Sequence, residues 1–291
     1  MENIKTRSTQ FDPLNNFLFY KTFGENGDDV QLLGFINAVL GKTGDDKVTS
    51  LEILENKNFM AEIMGGKSCV LDVRAKLQNE TMVNIEVQLC NQYNMDRRSL
   101  FYMSKVYTKE LQAGQDYRQL PDIIAINIVD FNFPAASNFH SCFHLREDTE
   151  HGIILTNAVE IHFINMVKYR RQVRKQGKEK LNDPLYRWLM WLNKNSPPEL
   201  LEEVIKMDTA IQTADKRLTH VTQSEEDMWA YTRYMMAECD RTGQLEYALG
   251  ERDKKIARNA LAEGSTPEFV HKITGLDLET IKNLKDFEEE E

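Results

Sequence analysis

Three polar side chains interrupt two of the most apolar stretches of the chain. Asp72 lies in SCVLDVRAKL (68–77), and Glu86 and Gln88 lie in MVNIEVQL (82–89). Because side chains alternate across a strand, Glu86 and Gln88 share one face, while apolar side chains line the other. A carboxylate beside a sheet core costs several kcal/mol unless a cation, a proton or hydrogen-bond donors compensate for its charge. The fold must therefore supply a partner for Glu86.

The residues QNET between these two stretches predict a turn, so the two strands are expected to form a hairpin. One register pairs Asp72 with Glu86 and places Lys76 opposite Met82. The neighbouring register with the same faces pairs Asp72 with Gln88 instead. In both registers the two carboxylates have Cβ atoms within about 5 to 8 Å of each other.

Two carboxylates at that distance repel each other, and three arrangements would relieve the repulsion. A hard divalent cation held by oxygen ligands is one, with Mg²⁺ as the natural candidate. A structural ion pair with Arg74 or Lys76 is another, and a proton shared by the two carboxyl groups is the third. The residues alone leave all three open.

The surrounding elements predict an α/β domain followed by helices. Asp12 and Pro13 predict a helix over 11–24 with Asp12 as its N-cap, and a second helix spans 30–41. The strands are predicted at 49–55, 68–77, 82–89, 123–130, 139–146 and 159–164, with a long helix at about 94–113. The expected domains are therefore residues 1–180, which are α/β, and residues 181–291, a helical C-terminal region.

The length of 291 residues favours one larger domain with a smaller appendage. No run of 18 or more apolar residues predicts a membrane span, and the N-terminal residues lack an apolar signal core. The four cysteines are scattered without paired spacing, which indicates a reducing compartment. The expected location is the cytoplasm, away from any membrane.

The net charge of −10 is unevenly distributed. Residues 1–181 hold 22 Lys and Arg against 23 Asp and Glu, whereas residues 182–291 hold 14 against 23. A basic run at 168–180 and a basic helix face could meet the phosphates of DNA, although a solvated helix surface is the alternative. The candidate DNA-binding residues are Arg170, Arg171 and Arg174 in the run, and Arg98, Tyr102, Lys105 and Lys109 on the helix face.

Three residues with metal-binding side chains alternate in FHSCFHLRED. His140, Cys142 and His144 would share one face of a strand, and this spacing can seat Zn²⁺. No further cluster of Cys or His completes four ligands in the sequence. A partly exposed strand is therefore the favoured interpretation.

Two patterns in the C-terminal region indicate packing. Trp188, Trp191 and Leu192 form a helical stripe that is typical of a core or of a homodimer contact rather than of a base-stacking surface. Residues 265–284 predict two short helices around Gly275, which resemble the last two helices of a helix-turn-helix. Their acidic residues oppose phosphates, so a packing or oligomerisation module is favoured.

Five motifs, in order, resemble those of a known family. They are FDPLNNFLFYKTFG, LDVRAKL, NIEVQL, RRSLFYMSKVYTKEL and HFINMVKY, between about residues 10 and 175. An Asp on one strand of a hairpin, followed by Glu-x-Gln on the next strand and then a helix, resembles the PD-(D/E)XK nuclease superfamily. The set is similar to the Rpn family of recombination-promoting nucleases, which are often labelled transposases.

The resemblance implies a restriction-endonuclease-like fold, with a mixed sheet flanked by helices and a C-terminal helical appendage. At the matching positions, Asp72 and Glu86 would bind Mg²⁺ or another hard divalent cation, with the backbone carbonyl of Val87 nearby. Asp12 and Lys21 match the first helix of the family, as structural support or as accessory site residues.

The resemblance also exposes one departure from the superfamily pattern. Gln88 stands where that pattern has Lys, whereas the Rpn-like pattern itself has Gln. An ammonium group can stabilise developing negative charge, while a neutral amide can only position groups by hydrogen bonds. A slow enzyme is therefore expected.

The leading hypothesis is a Mg²⁺-dependent DNA endonuclease that acts in recombination or on mobile DNA. The alternative is a non-catalytic DNA-binding or assembly protein that retains the nuclease fold. A scaffold without metal, in which Asp72 pairs with Arg74 or Lys76, is a third hypothesis.

Overall fold

The structure is a computed structural model that describes residues 11–25, 29–54, 73–110, 116–176 and 180–286, with the side chains of 106, 108–110, 175–176 and 285–286 not described. The chain divides into two compact units. Among the described residues, the first unit ends at Tyr231 and the second begins at Thr232. The contacts thus divide the described chain between residues 231 and 232, later than the domain boundary predicted at residue 180. That domain boundary stays a prediction.

The described residues of the first unit form a six-stranded mixed sheet. The strands are β1 Leu51–Ile53, β2 Val73–Leu77, β3 Met82–Gln88, β4 Ile123–Val129, β5 His140–Phe143 and β6 Val159–Asn165. Their order across the sheet is β1-β2-β3-β4-β6-β5. The pairs β3–β4 and β4–β6 are parallel, and the remaining pairs are antiparallel.

Helices precede, connect and follow these strands. They are α1 Asn16–Phe23, α2 Val30–Leu40, α3 Met95–Glu110, α4 Met166–Gln176, α5 Pro184–Leu192, α6 Pro198–Met207, α7 Thr209–Gln223, α8 Glu225–Ala262, α9 Pro267–Thr274 and α10 Leu278–Asp286. Short 3₁₀ turns lie at Gly44–Asp46 and Tyr117–Gln119. Across the described ranges, every helix is too short or too polar to span a membrane.

The N-cap of helix α1 lies three residues later than predicted, at Asn15 instead of Asp12. The Asn15 amide donates to the Asp12 carbonyl at 2.9 Å, and the Leu14 amide donates to the Asp12 side chain at 3.0 Å, which forms a turn before the helix. The side chain of Asn15 then accepts hydrogen bonds from the amides of Phe17 and Leu18. The prediction of Asp12 as the N-cap is therefore wrong, because Asn15 provides the capping oxygen.

The hairpin of β2 and β3 has a defined register. Lys76 lies opposite Met82, which is the register that a pairing of Asp72 with Glu86 requires. Asp72 itself lies outside the described residues.

Alternation along the paired strands assigns each side chain to one of two faces. Glu86 on β3 aligns with Asn127 on β4, and Asn127 aligns with Phe163 on β6. These three side chains share the face that α3 covers through its contact with β4. Ile126 and His162 directly precede Asn127 and Phe163 along their strands, so their side chains lie on the opposite face.

The tryptophan stripe lies in the core of the first unit, which is one of the two positions that the sequence predicted. Trp188 and Trp191 on α5 are fully buried. The Trp188 ring centroid lies 5.8 Å from that of Phe23 and 5.6 Å from that of Phe35, and the Trp191 centroid lies 6.0 Å from that of Phe23. This aromatic cluster joins α1, α2 and α5.

In the second unit, the two short helices predicted around Gly275 are α9 and α10. Gly275 ends α9 with a φ of 73°, a conformation that glycine adopts without strain. Val270, Ile281 and Leu284 are buried with Ala257 of α8. These contacts form a small apolar core.

The close approach of α2 and α7 generates a prediction about stability. A Cβ atom built on Gly34 would overlap the Cβ of Ala210 and lie 3.4 Å from Trp188 Cζ2. We expect Gly34→Ala to lower the free energy of unfolding by about 1 to 3 kcal/mol, because the added methyl overpacks the helix contact. Tryptophan fluorescence in a denaturant titration measures this loss.

Gly152→Ala is the matched control, since nothing lies within 4 Å of a Cβ built on Gly152 in the same unit. It should change the free energy of unfolding by less than about 0.5 kcal/mol. Equal stability of the two variants would contradict the helix contact at Gly34.

Candidate active site

Glu86 is buried between β3 and α3, with 3% of its surface exposed. Met103 of α3 packs with Met82 and its apolar neighbours, and Met95 packs with Val129 and its neighbours. The α3 helix thus places apolar side chains over the same sheet face. The carboxylate of Glu86 is consequently withdrawn from bulk water.

Arg98, in the first turn of α3, is the partner of Glu86. Its Nε atom donates to Glu86 Oε1 at 2.6 Å, and its Nη2 atom forms an ion pair with the same oxygen. The guanidinium also lies 5.4 Å from the ring centroid of Tyr102. Because 24% of the Arg98 side chain is exposed, this side chain extends from the buried carboxylate to the protein surface.

The second oxygen of Glu86 is left without such a partner. Glu86 Oε2 is buried and accepts no hydrogen bond from any residue in the described ranges. A buried polar atom without a partner costs about 1 to 3 kcal/mol, and more when it carries charge. A proton or a hard cation would satisfy this atom, and a carboxylate oxygen is a ligand that Mg²⁺ prefers.

Burial raises the pKa of the Glu86 carboxyl above its ordinary value. The charge and the hydrogen bond of Arg98 act in the opposite direction and only reduce this effect. Arg98 therefore compensates for part of the cost of ionising Glu86 in an apolar environment.

A polar contact beside Glu86 holds α3 against the sheet. The Ser99 hydroxyl lies 3.0 Å from Asn127 Oδ1 and 2.9 Å from the Met95 carbonyl. Asn127 Nδ2 donates to the His162 carbonyl at 3.2 Å. Because Ser99 follows Arg98 directly in α3, this contact fixes the part of the helix from which Arg98 reaches Glu86.

Gln88 and Val87 complete the predicted segment of β3. Gln88 is half-buried at the carboxyl end of the strand, and its Nε2 atom donates to the Cys90 carbonyl at 3.0 Å. Val87 is buried and aligns with Ile128 of β4. Their assigned roles, like that of Asp72, stay predictions.

The comparisons with known proteins identify the family. Residues 13–248 match the model of the PD-(D/E)XK nuclease family transposases. The chain belongs to this family. No curated protein and no solved structure gives a match. The mixed sheet flanked by helices confirms the restriction-endonuclease-like fold that the sequence predicts, and the family assigns the chain to nucleases connected with mobile elements.

Asp12 and Lys21, which the sequence predicts as structural support or as accessory site residues, both form ion pairs. Lys21 Nζ lies 2.5 Å from Glu25 Oε1 and 2.9 Å from Asp227 Oδ1. Burial acts to lower the pKa of Lys21, but the hydrogen bonds with Asp227 and Glu25 outweigh burial and raise it. Asp12 Oδ2 lies 3.5 Å from Lys194 Nζ. These contacts favour the interpretation that Asp12 and Lys21 support the structure.

The candidate DNA-binding residues fall into different environments. Arg170 forms an ion pair with Asp130, which directly follows β4. Arg171 and Arg174 are exposed on α4, and Lys105 is exposed on α3. Tyr102 contacts Arg98, while the side chain of Lys109 lies outside the described residues.

The contact between Glu86 and Arg98 is not anticipated by the sequence. Arg74 and Lys76 are the basic residues that the sequence predicts as ion-pair partners in the hairpin. Lys76 instead forms an ion pair with Glu80. The signal that was available is the position of Arg98 in the first turn of the helix that follows β3. Such a residue lies over the carboxyl end of the strand whenever the helix packs back on the same face.

The raised pKa of Glu86 predicts the pH dependence of stability in protein treated with a chelator. The folded chain holds the Glu86 proton more tightly than the unfolded chain does. The stability of the wild type relative to Glu86→Gln should therefore be greatest below the ordinary Glu pKa of about 4.3 and fall as pH rises through the raised pKa. Denaturant titrations of both proteins across this range measure the difference. A difference that grows in favour of the wild type with rising pH would show that Arg98, not burial, dominates.

Proposed function

We propose that this protein is a Mg²⁺-dependent DNA endonuclease that hydrolyses phosphodiester bonds in DNA recombination or mobile-element movement in the cytoplasm. Membership of a nuclease family supports the reaction class. The observation that carries the proposal is Glu86, a buried carboxylate whose Oε2 atom has no partner within the described ranges. A hard cation bound to Oε2 would satisfy this atom, which the ion pair with Arg98 leaves without a partner in the described ranges.

Asp72 and Glu86 are the proposed ligands of Mg²⁺, together with the backbone carbonyl of Val87. The described register pairs Val73 of β2 with Ile85 of β3, and this is the register on which the proposed pairing of Asp72 with Glu86 depends. Two adjacent carboxylates supply the negative charge that a divalent cation requires. When bound, Mg²⁺ would lower the pKa of a water ligand and stabilise the charge of the phosphate at the transition state.

Arg98 and Gln88 are proposed to position the reacting groups. The bond from Arg98 to Oε1 fixes the orientation of the Glu86 carboxylate and leaves Oε2 for the cation. Gln88 lies two residues further on the same face, where its amide could hold the attacking water by hydrogen bonds. A neutral amide stabilises less developing charge than an ammonium group, so slow cleavage is expected.

Exposed basic residues on α3 and α4 are proposed to contact the DNA backbone. Arg171, Arg174 and Lys105 are exposed to solvent. Phosphate contacts of this kind give affinity without sequence specificity and weaken as salt increases. A homodimer would double this surface.

The second candidate function is a non-catalytic DNA-binding or assembly protein that retains the nuclease fold. Two observations favour it: Arg98 already neutralises part of the Glu86 charge, and the neutral Gln88 follows on the same face. In such a protein, the ion pair with Arg98 would hold α3 on the sheet and no cation would bind.

Metal-dependent nicking of supercoiled plasmid DNA tests the two functions. We expect the wild type to nick DNA with Mg²⁺ and to stop when a chelator is added. Asp72→Asn and Glu86→Gln should remove nicking and the Mg²⁺-induced stabilisation, which for the wild type is about 2.7 kcal/mol at a hundredfold excess over Kd.

Glu52→Gln on β1 provides the matched control, because Glu52 is an exposed carboxylate on the same sheet. It should retain both nicking and the response to Mg²⁺. DNA binding by a wild type that neither nicks nor gains stability from Mg²⁺ would support the non-catalytic function and exclude the endonuclease.

Gln88→Lys tests the position of the amide. It should leave Mg²⁺ binding unchanged and should retain or raise the nicking rate, because it adds a cationic donor where negative charge develops. Rates of nicking and melting temperatures with and without Mg²⁺ measure the two effects. Nicking as low as that of Asp72→Asn, in a folded variant that binds Mg²⁺, would place Gln88 elsewhere in the reaction.

A further inference from the structure

Side chains that bind transition metals meet on β5 and β6, at the edge of the sheet. The antiparallel register places Cys142 directly opposite His162. His140 and Glu160 lie two residues from them on the same face, and His144 follows β5 on the side of Glu160. This face is the reverse of the one that carries Glu86, so these residues are separate from the proposed endonuclease site.

The ligand atoms of this cluster are closely spaced. Cys142 Sγ lies 3.7 Å from His162 Nε2 and 3.7 Å from His144 Nδ1. Glu160 Oε2 lies 3.3 Å from His162 Nε2, and its Oε1 lies 3.5 Å from His144 Nε2. One ligand atom each from Cys142, His144 and Glu160 can be chosen so that all three lie within 4.8 Å of one another.

Some of these spacings are close to the edges of a tetrahedral zinc site. Zn–N and Zn–O bonds of about 2.0 to 2.1 Å and a Zn–S bond of about 2.3 Å place neighbouring ligand atoms about 3.3 to 3.6 Å apart. His162 Nε2 lies 3.3 Å from Glu160 Oε2 and 3.7 Å from Cys142 Sγ, close to these values. His144 can supply either Nδ1, 3.7 Å from Cys142 Sγ, or Nε2, 3.5 Å from Glu160 Oε1, but only one of the two can bind the ion. His162 lies outside the group of three whose ligand atoms are mutually closest, so the imidazole of His144 or His162 must turn for four ligand atoms to meet at one point.

His140 holds His162 in the orientation that such a site requires. His140 Nε2 lies 3.0 Å from His162 Nδ1, and the two rings stack with centroids 5.2 Å apart. This hydrogen bond uses Nδ1 and leaves His162 Nε2 directed at Cys142 and Glu160. An outer partner of this kind orients many histidine ligands of metals.

We propose that Cys142, His144, Glu160 and His162 bind one Zn²⁺ ion, with His140 as the residue that positions His162. A thiolate and two imidazoles favour Zn²⁺ over Mg²⁺, because soft and borderline ligands bind hard cations poorly. The ion would join the four-residue edge strand β5 and the segment after it to β6. The site is structural, and it serves the edge of the sheet rather than the cleavage of DNA.

Direct titration of the metal-stripped full chain tests this site. With a chromophoric chelator as competitor, we expect one Zn²⁺ per chain. Co²⁺ in place of Zn²⁺ should give a thiolate-to-cobalt charge-transfer band, which requires a cysteine ligand and, at this site, Cys142. His140→Ala should weaken Zn²⁺ binding about 10- to 100-fold, as loss of an outer partner does, and Cys142→Ser should weaken it further and abolish the cobalt band.

Cys239→Ser is the matched control, since Cys239 is also a free, exposed cysteine but lies in the second unit. It should keep the affinity and the cobalt band. Glu86→Gln should also keep the Zn²⁺ affinity and the cobalt band. Cys142→Ser should keep the stabilisation by Mg²⁺. The zinc site and the endonuclease site are therefore tested independently of each other.

The wild type alone provides a second measurement if a variant does not fold. Zn²⁺ should slow the reaction of Cys142 with a thiol reagent, located by peptide mapping, and leave Cys239 unaffected. No stoichiometric Zn²⁺ binding, a cobalt band that persists in folded Cys142→Ser, or equal reactivity of Cys142 with and without Zn²⁺ would overturn the proposal.

Discussion

The constraint on which the candidate active site depends is the burial of one carboxylate in the face of a sheet. Glu86 is almost fully buried, and Arg98 donates a hydrogen bond to one of its carboxylate oxygens. The contact of Ser99 with Asn127 holds the helix from which Arg98 reaches in. Because burial outweighs the guanidinium and raises the pKa of Glu86, Arg98 offsets only part of the cost of ionising this carboxyl. A divalent cation is the further partner that we propose.

The two faces of the sheet separate two kinds of chemistry. The face under α3 presents oxygen and amide groups, from Glu86 and Gln88, which suit a hard cation and phosphate chemistry. The opposite face, at the β5 edge, presents sulfur and imidazole groups, which suit a borderline cation such as Zn²⁺. Alternation along β6 produces this division, since Phe163 packs under α3 while His162 faces the cysteine of β5. One sheet can thus hold both sites without competition for the same metal.

Local patterns were sufficient to predict much of this fold. The alternation around Glu86 predicts β3, and the tryptophan stripe predicts the buried face of α5, because both depend on neighbours along the chain. The start of α1 was missed because Asp12 and Asn15 are both good caps, and only the turn between them decides which one is used. The pairs Arg98–Glu86 and Cys142–His162 depend on how a helix packs and which strands pair. For Arg98 the sequence shows only its place in the first turn of the helix after β3, and for Cys142 and His162 it does not show that their strands pair.

The position of a bound metal at Glu86 would test the proposed magnesium site without relying on activity. Mn²⁺ can replace Mg²⁺ among oxygen ligands and scatters anomalously, so crystals of the full chain soaked with Mn²⁺ would locate it. We expect an anomalous peak in contact with Glu86 Oε2 and the carboxylate of Asp72, with Arg98 still bonded to Oε1. A crystal that shows Arg98 paired with Glu86, Asp72 directed elsewhere and no peak at Oε2 at saturating Mn²⁺ would contradict it.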